Sequence, residues 1–395
     1  MNLRVPFNKP FVIGKELYYI AQAVTLGNIS GDGHFTQKCS RLLEDRFGIH
    51  KVLLTPSCTA ALEMAAMLCG IEPGDEVILP SYTFVSTANA VVRLGARPVF
   101  VDIRPDTLNI DETLIEAAVT PKTKAIFPVH YAGVGCEMDR ILAIARRYKL
   151  KVVEDAAQAV NSFYNGRALG SLGCLGTYSF HETKNYTCGE GGALCINEPE
   201  LVERAEIIRN KGTNRKQYLR GQVDKYTWVD NGSSYVPSEI LSAYLYAQLE
   251  MMDAISERRR RIYQFYRYHF KKLEAEGLVR LPTIPEDCTS NYHLFYILLP
   301  TMQIRNELIA HLKQQQIMAV FHYVPLHCSP MGRTFGYKEG DLPITEDVSG
   351  RLLRMPFYYD LTEEEQLHIV DQVRAFLTRL PATSFREESS LPLAG

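Results

Sequence analysis

The 395-residue chain has neither a G-x-G-x-x-G fingerprint nor a G-x-x-x-x-G-K-[ST] loop, which removes the usual sequence grounds for a dinucleotide or an ATP site. It also has no C-x-x-C pair. Its nine cysteines are odd in number and scattered, so neither a metal site nor a disulfide framework is indicated; buried thiols of a reducing compartment are expected. No apolar run reaches the roughly eighteen residues of a spanning helix, and the opening Met1–Pro6 lacks a signal-peptide apolar region. A cytoplasmic location is the expectation. A formal net charge of -2 leaves no excess of either sign and argues against nucleic acid and membrane surfaces as partners. Any basic site is therefore local, and no internal repeat is visible.

What the chain does have is length enough for two cores and a regular alternation of element types. Short β-rich runs at Lys51–Leu54, Glu76–Leu79, Arg97–Val101, Lys124–Val129 and Lys151–Val153 alternate with helical patterns such as Thr59–Leu68 and Glu137–Tyr148. Such alternation predicts an α/β fold, a mostly parallel sheet covered by helices on both faces, with ligands beyond the C-terminal strand ends. The division expected is a large domain over 1–245, a smaller C-terminal α+β domain over 246–380, and a disordered tail over 381–395. In the smaller domain, His293–Leu299 and Ala319–Tyr323 read as strands, Gln303–Gln315 and Glu363–Leu380 as helices. A long helical pattern after 236 carries the run Arg258–Arg261, read as a solvated helix face.

The strand ends are where chemistry is sought. Lys184 follows the apolar run Tyr178–Phe180 and precedes the turn Gly189-Glu190-Gly191-Gly192, the rigid placement that an imine-forming amine requires. Alone it reads as a surface lysine at a strand end. Asp155 ends the apolar run Lys151–Asp155, where a carboxylate needs a cation such as a protonated pyridine nitrogen, or serves as a helix cap. Ser57-Cys58-Thr59 lies between a strand and a helix, so its backbone N–H groups and the Thr59 hydroxyl suit a phosphate, or form an ordinary cap. Ser179 adds a hydroxyl. Gln158 is placed to reach a ring hydroxyl and Phe84 to lie on a ring face, or each is an unremarkable helix and core residue. Together these residues point to pyridoxal phosphate, with Lys184 as both tether and proton carrier.

At Ser57-Cys58-Thr59-Ala60-Ala61-Leu62, Gly74-Asp75-Glu76-Val77-Ile78, Glu154-Asp155-Ala156-Ala157-Gln158, Ser179-Phe180-His181-x-x-Lys184-Asn185 and Gly189–Gly192 the chain resembles the DegT/StrS family of sugar-nucleotide aminotransferases. The similarity runs from Val5 to about Leu380. It implies the aspartate-aminotransferase fold (fold type I) and a cofactor alternating between pyridoxal phosphate and its aminated form. It further implies a nucleotide-linked keto sugar and L-glutamate as substrates, and a homodimer whose sites borrow residues across the interface. Two departures stand out. Cys58 occupies a position where many members carry glycine, so only backbone contacts transfer there. Ser234, in Gly232–Pro237, stands where many members present an asparagine to the partner's phosphate site.

Arg215, Arg220, Lys225, His322, Tyr323 and His327 are candidate donors to the sugar and its diphosphate; each basic residue is alternatively an exposed charge, and His327 a satisfied loop histidine. His181 belongs to the motif without a derivable role. Members that dehydrate sugars carry histidine where this chain has Lys184, so the lysine favours amination. A nicotinamide-dependent dehydrogenase fits the alternation but lacks its glycine fingerprint. A non-catalytic regulatory homologue would not need Asp155, Gln158, Ser179 and Lys184 together.

Overall fold

A computed structural model describes residues 4–380; the tail expected over 381–395 lies outside the described residues. Seven strands form the main sheet in the order Arg97–Val101, Glu76–Pro80, Thr123–Ile126, Lys151–Asp155, Leu175–Ser179, Gly192–Ile196, Lys51–Thr55. Gly192–Ile196 runs antiparallel to both its neighbours and the other contacts are parallel, as the alternation predicts. Successive residues of one strand serve opposite faces: Val52 and Leu54 enter one layer of the core with the helices His34–Phe47, Met138–Tyr148 and Glu239–Glu250. Leu53 enters the other, with the helices Cys58–Leu68, Val85–Val92 and Val202–Arg209. Burial on both faces is why these strands read as unbroken apolar runs.

The same alternation separates two adjacent acids. Glu154 takes the opposite face of the sheet from Asp155, is fully buried, and accepts hydrogen bonds from His130 and from the N–H groups of Gly170, Leu172 and Gly173 at 2.6–2.9 Å. Its neighbour Asp155 is left for the other side.

A second core joins the helices Met252–Ala275, Met302–Gln314 and Glu363–Leu377 to a two-stranded sheet of Tyr296–Leu298 and Leu352–Arg354. The first core reaches past 245, taking Leu249, Met252 and Ile255, and the second takes Val5 from the start of the chain, whose backbone pairs with Ile317. The long helical pattern is two helices, broken at Met251. Ala319–Tyr323 is not a strand: Val320 makes one isolated bridge to Arg354, after which the chain turns into a cluster of aromatic rings.

Arg258–Arg261 is not one solvated face. Consecutive helical residues point about 100° apart, so a run of four cannot all face water on a helix packed between cores. Arg260 and Arg261 pair with Glu257 at the surface. Arg258 instead donates to the carbonyls of Tyr359 and Leu361, and Arg259, 3% exposed, to those of Tyr292 and His293.

Candidate active site

The C-terminal ends of the parallel strands open into a cleft of about 770 Å³ walled by residues of both cores. Ser57, Cys58 and Thr59 form one wall. Ser57 caps the helix Cys58–Leu68 by accepting from the Ala60 N–H at 3.1 Å, which leaves the first N–H groups of the helix without intrahelical acceptors. Strand Gly192–Ile196 presses on this turn so closely that a Cβ at Gly192 would stand 2.4 Å from the Cys58 nitrogen. Only glycine permits that approach. The Thr59 hydroxyl hydrogen bonds with that of Ser86 at 2.8 Å, and buried Ser179 adds another hydroxyl to the lining. The free backbone N–H groups of this turn suit an anion such as a phosphate.

Lys184 is held by its surroundings before its side chain is considered. Its N–H donates to the His181 carbonyl at 2.9 Å, while Phe180 and Glu182 donate to Gly191 and Gly189 and close the loop into a tight return. Asn185 anchors the next position, donating to the Asn291 carbonyl and pairing with His293 Nδ1. The amine enters the cleft. Burial pushes its pKa below the ordinary lysine range; Cys58 and Asp155 oppose, and Arg354 adds to the depression. The Cys58 thiol is itself pushed up by burial and stays protonated, so the opposition is that of Asp155. A surface lysine would show none of this.

Asp155 is 4% exposed. One carboxylate oxygen accepts from the Ala157 N–H at 3.1 Å in a local turn, and since no helix follows, the helix-cap alternative fails; the other accepts from the Thr87 hydroxyl at 2.7 Å. Thr87 is fully buried and hydrogen bonds on to Thr83. Nothing in the sequence flags Thr87. Its replacement by valine, nearly the same in shape, removes the bond that aims Asp155 and should lower kcat/KM about five- to tenfold, with serine restoring it. An unchanged rate for Thr87→Val would show that Asp155 needs no such support.

The remaining predicted residues divide into two groups. Gln158, Phe84, His322, Tyr323 and His181 line the cleft. Gln158 accepts from the Ala132 N–H and donates one amide hydrogen to the Tyr323 hydroxyl, leaving its other hydrogen free. Phe84 is 58% exposed at the mouth. His322 bonds to the Tyr131 hydroxyl, and His181 holds the Lys184 loop through Thr183, which gives the motif histidine a structural role.

His327 is a correction. It is fully buried outside the cleft, bonded to the Ser81 hydroxyl and to Glu346, the satisfied loop histidine rather than a substrate donor. Arg215, Arg220, Lys225 and Ser234 are not brought into this chain's cleft either; they stand exposed on the segment 211–235, and Arg220 pairs with Glu206. Missed by the sequence reading were His293 and Arg354, both in the lining, together with Phe7 from the start of the chain.

These residues fit pyridoxal phosphate: a backbone cradle for an anion, a buried carboxylate for a ring cation, and a primary amine driven towards its neutral form. The comparisons agree. The model of the DegT/DnrJ/EryC1/StrS aminotransferase family matches residues 12–374. GDP-perosamine synthase of Caulobacter vibrioides is 33% identical over 384 residues, covering 95% of this chain and 98% of that one. A pleiotropic regulatory protein of Geobacillus stearothermophilus is 39% identical over 318 residues, 80% of this chain and 82% of the other. Among solved structures, S. venezuelae DesV is 31% identical with a TM-score of 0.87, covering 96% of this chain and all of that one. Spr1654 of Streptococcus pneumoniae, assigned as a sugar aminotransferase, aligns in its PLP form at 25% identity and a TM-score of 0.87, covering 95% and 99%. Its PMP form aligns at 26% and 0.89. With a family model spanning nearly the whole chain and both cofactor forms seen on the same fold, the protein belongs to the DegT/DnrJ/EryC1/StrS aminotransferase family and is a pyridoxal-phosphate-dependent enzyme of that kind.

Proposed function

We propose that the enzyme moves an amino group from L-glutamate to C4 of a nucleotide-linked 4-keto-6-deoxy sugar, turning dTDP-4-keto-6-deoxy-D-glucose into dTDP-4-amino-4,6-dideoxy-D-galactose. The observation that carries the reading is the Lys184 amine in the cleft lining, desolvated towards its neutral form and so a base able both to form an imine and to move a proton, as amination requires. The choice of sugar rests on the similarity of Pro80–Ala90, Gly221–Trp228 and Ala319–His327 to dTDP-4-amino-4,6-dideoxygalactose transaminase.

Pyridoxal phosphate, when bound, supplies a ring that takes up the electron pair of a cleaved C–H bond and stores the amino group between the two half-reactions. The N–H groups of Cys58 and Thr59, with the Thr59 and Ser179 hydroxyls, would hold its phosphate. Asp155 would stand at the ring nitrogen, the free amide hydrogen of Gln158 at the ring hydroxyl, and Phe84 at the ring face. Lys184 draws the proton from the donor's α-carbon in one half-reaction and delivers one to sugar C4 in the other. His322 and Tyr323 meet the sugar. A homodimer with shared sites, working in the cytoplasm, would let Ser234, Arg215, Arg220 and Lys225 serve the neighbouring copy's cleft.

Purified enzyme incubated with glutamate and a panel of dTDP-, UDP- and GDP-linked 4-keto-6-deoxy sugars should aminate the dTDP sugar fastest, with an axial C4 amine by NMR. An equatorial amine, or preference for a UDP or GDP sugar such as the named perosamine relative suggests, would replace the proposed substrate.

A further inference from the structure

Arg354 ends the strand Leu352–Arg354 and is the one arginine among the described residues that line the cleft. Its guanidinium lies over the Phe7 ring, 4.6 Å from the centroid, and donates from Nη2 to the Phe321 carbonyl at 3.4 Å. Its Nε is buried and unpartnered, and no carboxylate pairs with it among the described residues. Two imidazoles of the lining do not share its charge: burial, with nearby Lys184 and Arg354, pushes His293 and His322 well below the usual histidine range. An arginine keeps its charge wherever it sits. A cation partly withdrawn from water without a counter-ion is disfavoured until an anion meets it.

The guanidinium fork matches a planar carboxylate edge to edge. Arg354 and Lys184 line the same cleft, so a single substrate can meet both. Of the two substrates, the amino donor carries its α-carboxylate on the very carbon whose amine reacts, whereas the diphosphate of a sugar nucleotide is attached across the sugar ring from C4. We infer that Arg354 binds the α-carboxylate of the amino donor, an assignment that rests on the transamination proposed above.

The test separates the half-reactions. R354Q and R354K enzymes loaded with pyridoxal phosphate are titrated with L-glutamate, followed by the absorbance of the bound cofactor, and separately with the amino-sugar product, which has no carboxylate. R354Q should raise the glutamate concentration needed for half-saturation on the order of 50-fold, as expected for a lost charge-assisted pair of hydrogen bonds. R354K should lose less, and the amino-sugar titration should move less than about threefold in either variant. Unchanged glutamate saturation, or equal weakening of both titrations, overturns the inference while leaving the transaminase reading intact. A wild-type enzyme that accepts no amino group from glutamate removes that reading and the inference with it.

Discussion

Replacement of Lys184 by alanine is expected to lower turnover roughly 10²- to 10⁴-fold, the range in which a positioned acid–base group contributes. No neighbour can take its place. His293 and His322 are already engaged with Asn185 and Tyr131, and His181 is occupied with the Thr183 turn. Asp155, bonded to Thr87 and Ala157, is directed elsewhere. The loop around Lys184 is fixed by backbone bonds, so the alanine variant should fold and retain cofactor through the cradle at Ser57–Thr59. Single-turnover rates with glutamate would measure the effect, and added methylamine should restore part of it. A variant retaining more than a tenth of wild-type turnover would refute the proton-carrier role.

Asp155→Asn should cost about 10²- to 10³-fold in kcat with little loss of bound cofactor. An amide fills the same volume and can keep its oxygen on the Ala157 N–H while its NH2 donates to the Thr87 hydroxyl, so the change removes chiefly the charge. Removing one member of a buried ion pair typically costs about 3–5 kcal/mol, and each 1.4 kcal/mol is a factor of ten. Cofactor content after gel filtration, read by absorbance, would separate binding from catalysis. Full activity in the asparagine variant would remove the carboxylate from the chemistry.

The sheet was legible because its strands are buried on both faces and therefore write themselves as short apolar runs such as Val52–Leu54 and Val152–Val153. Asp155 and Lys184 were legible for a related reason: polar residues at the ends of such runs have few places to go except the cleft. The second core was harder to read. Its strands are three residues long, too short for a period to register, and Ala319–Tyr323 copies the composition of a strand without the pairing of one. Residues whose partners are distant were missed or misread. Thr87 matters through Asp155, 68 positions away, and His327 is satisfied by Ser81, 246 positions away. A loop histidine looks the same in sequence whether it is waiting for a ligand or already satisfied.

The start of the chain touches two properties at once. Val5 completes the second core by pairing with Ile317, and two residues later Phe7 lies under the Arg354 guanidinium while its carbonyl accepts from Phe357. A mutation in these few positions therefore cannot be selected for folding alone or for substrate preference alone. Drift in the opening segment is constrained by both, and donor affinity is inherited as a linked trait of small-core stability rather than tuned independently of it.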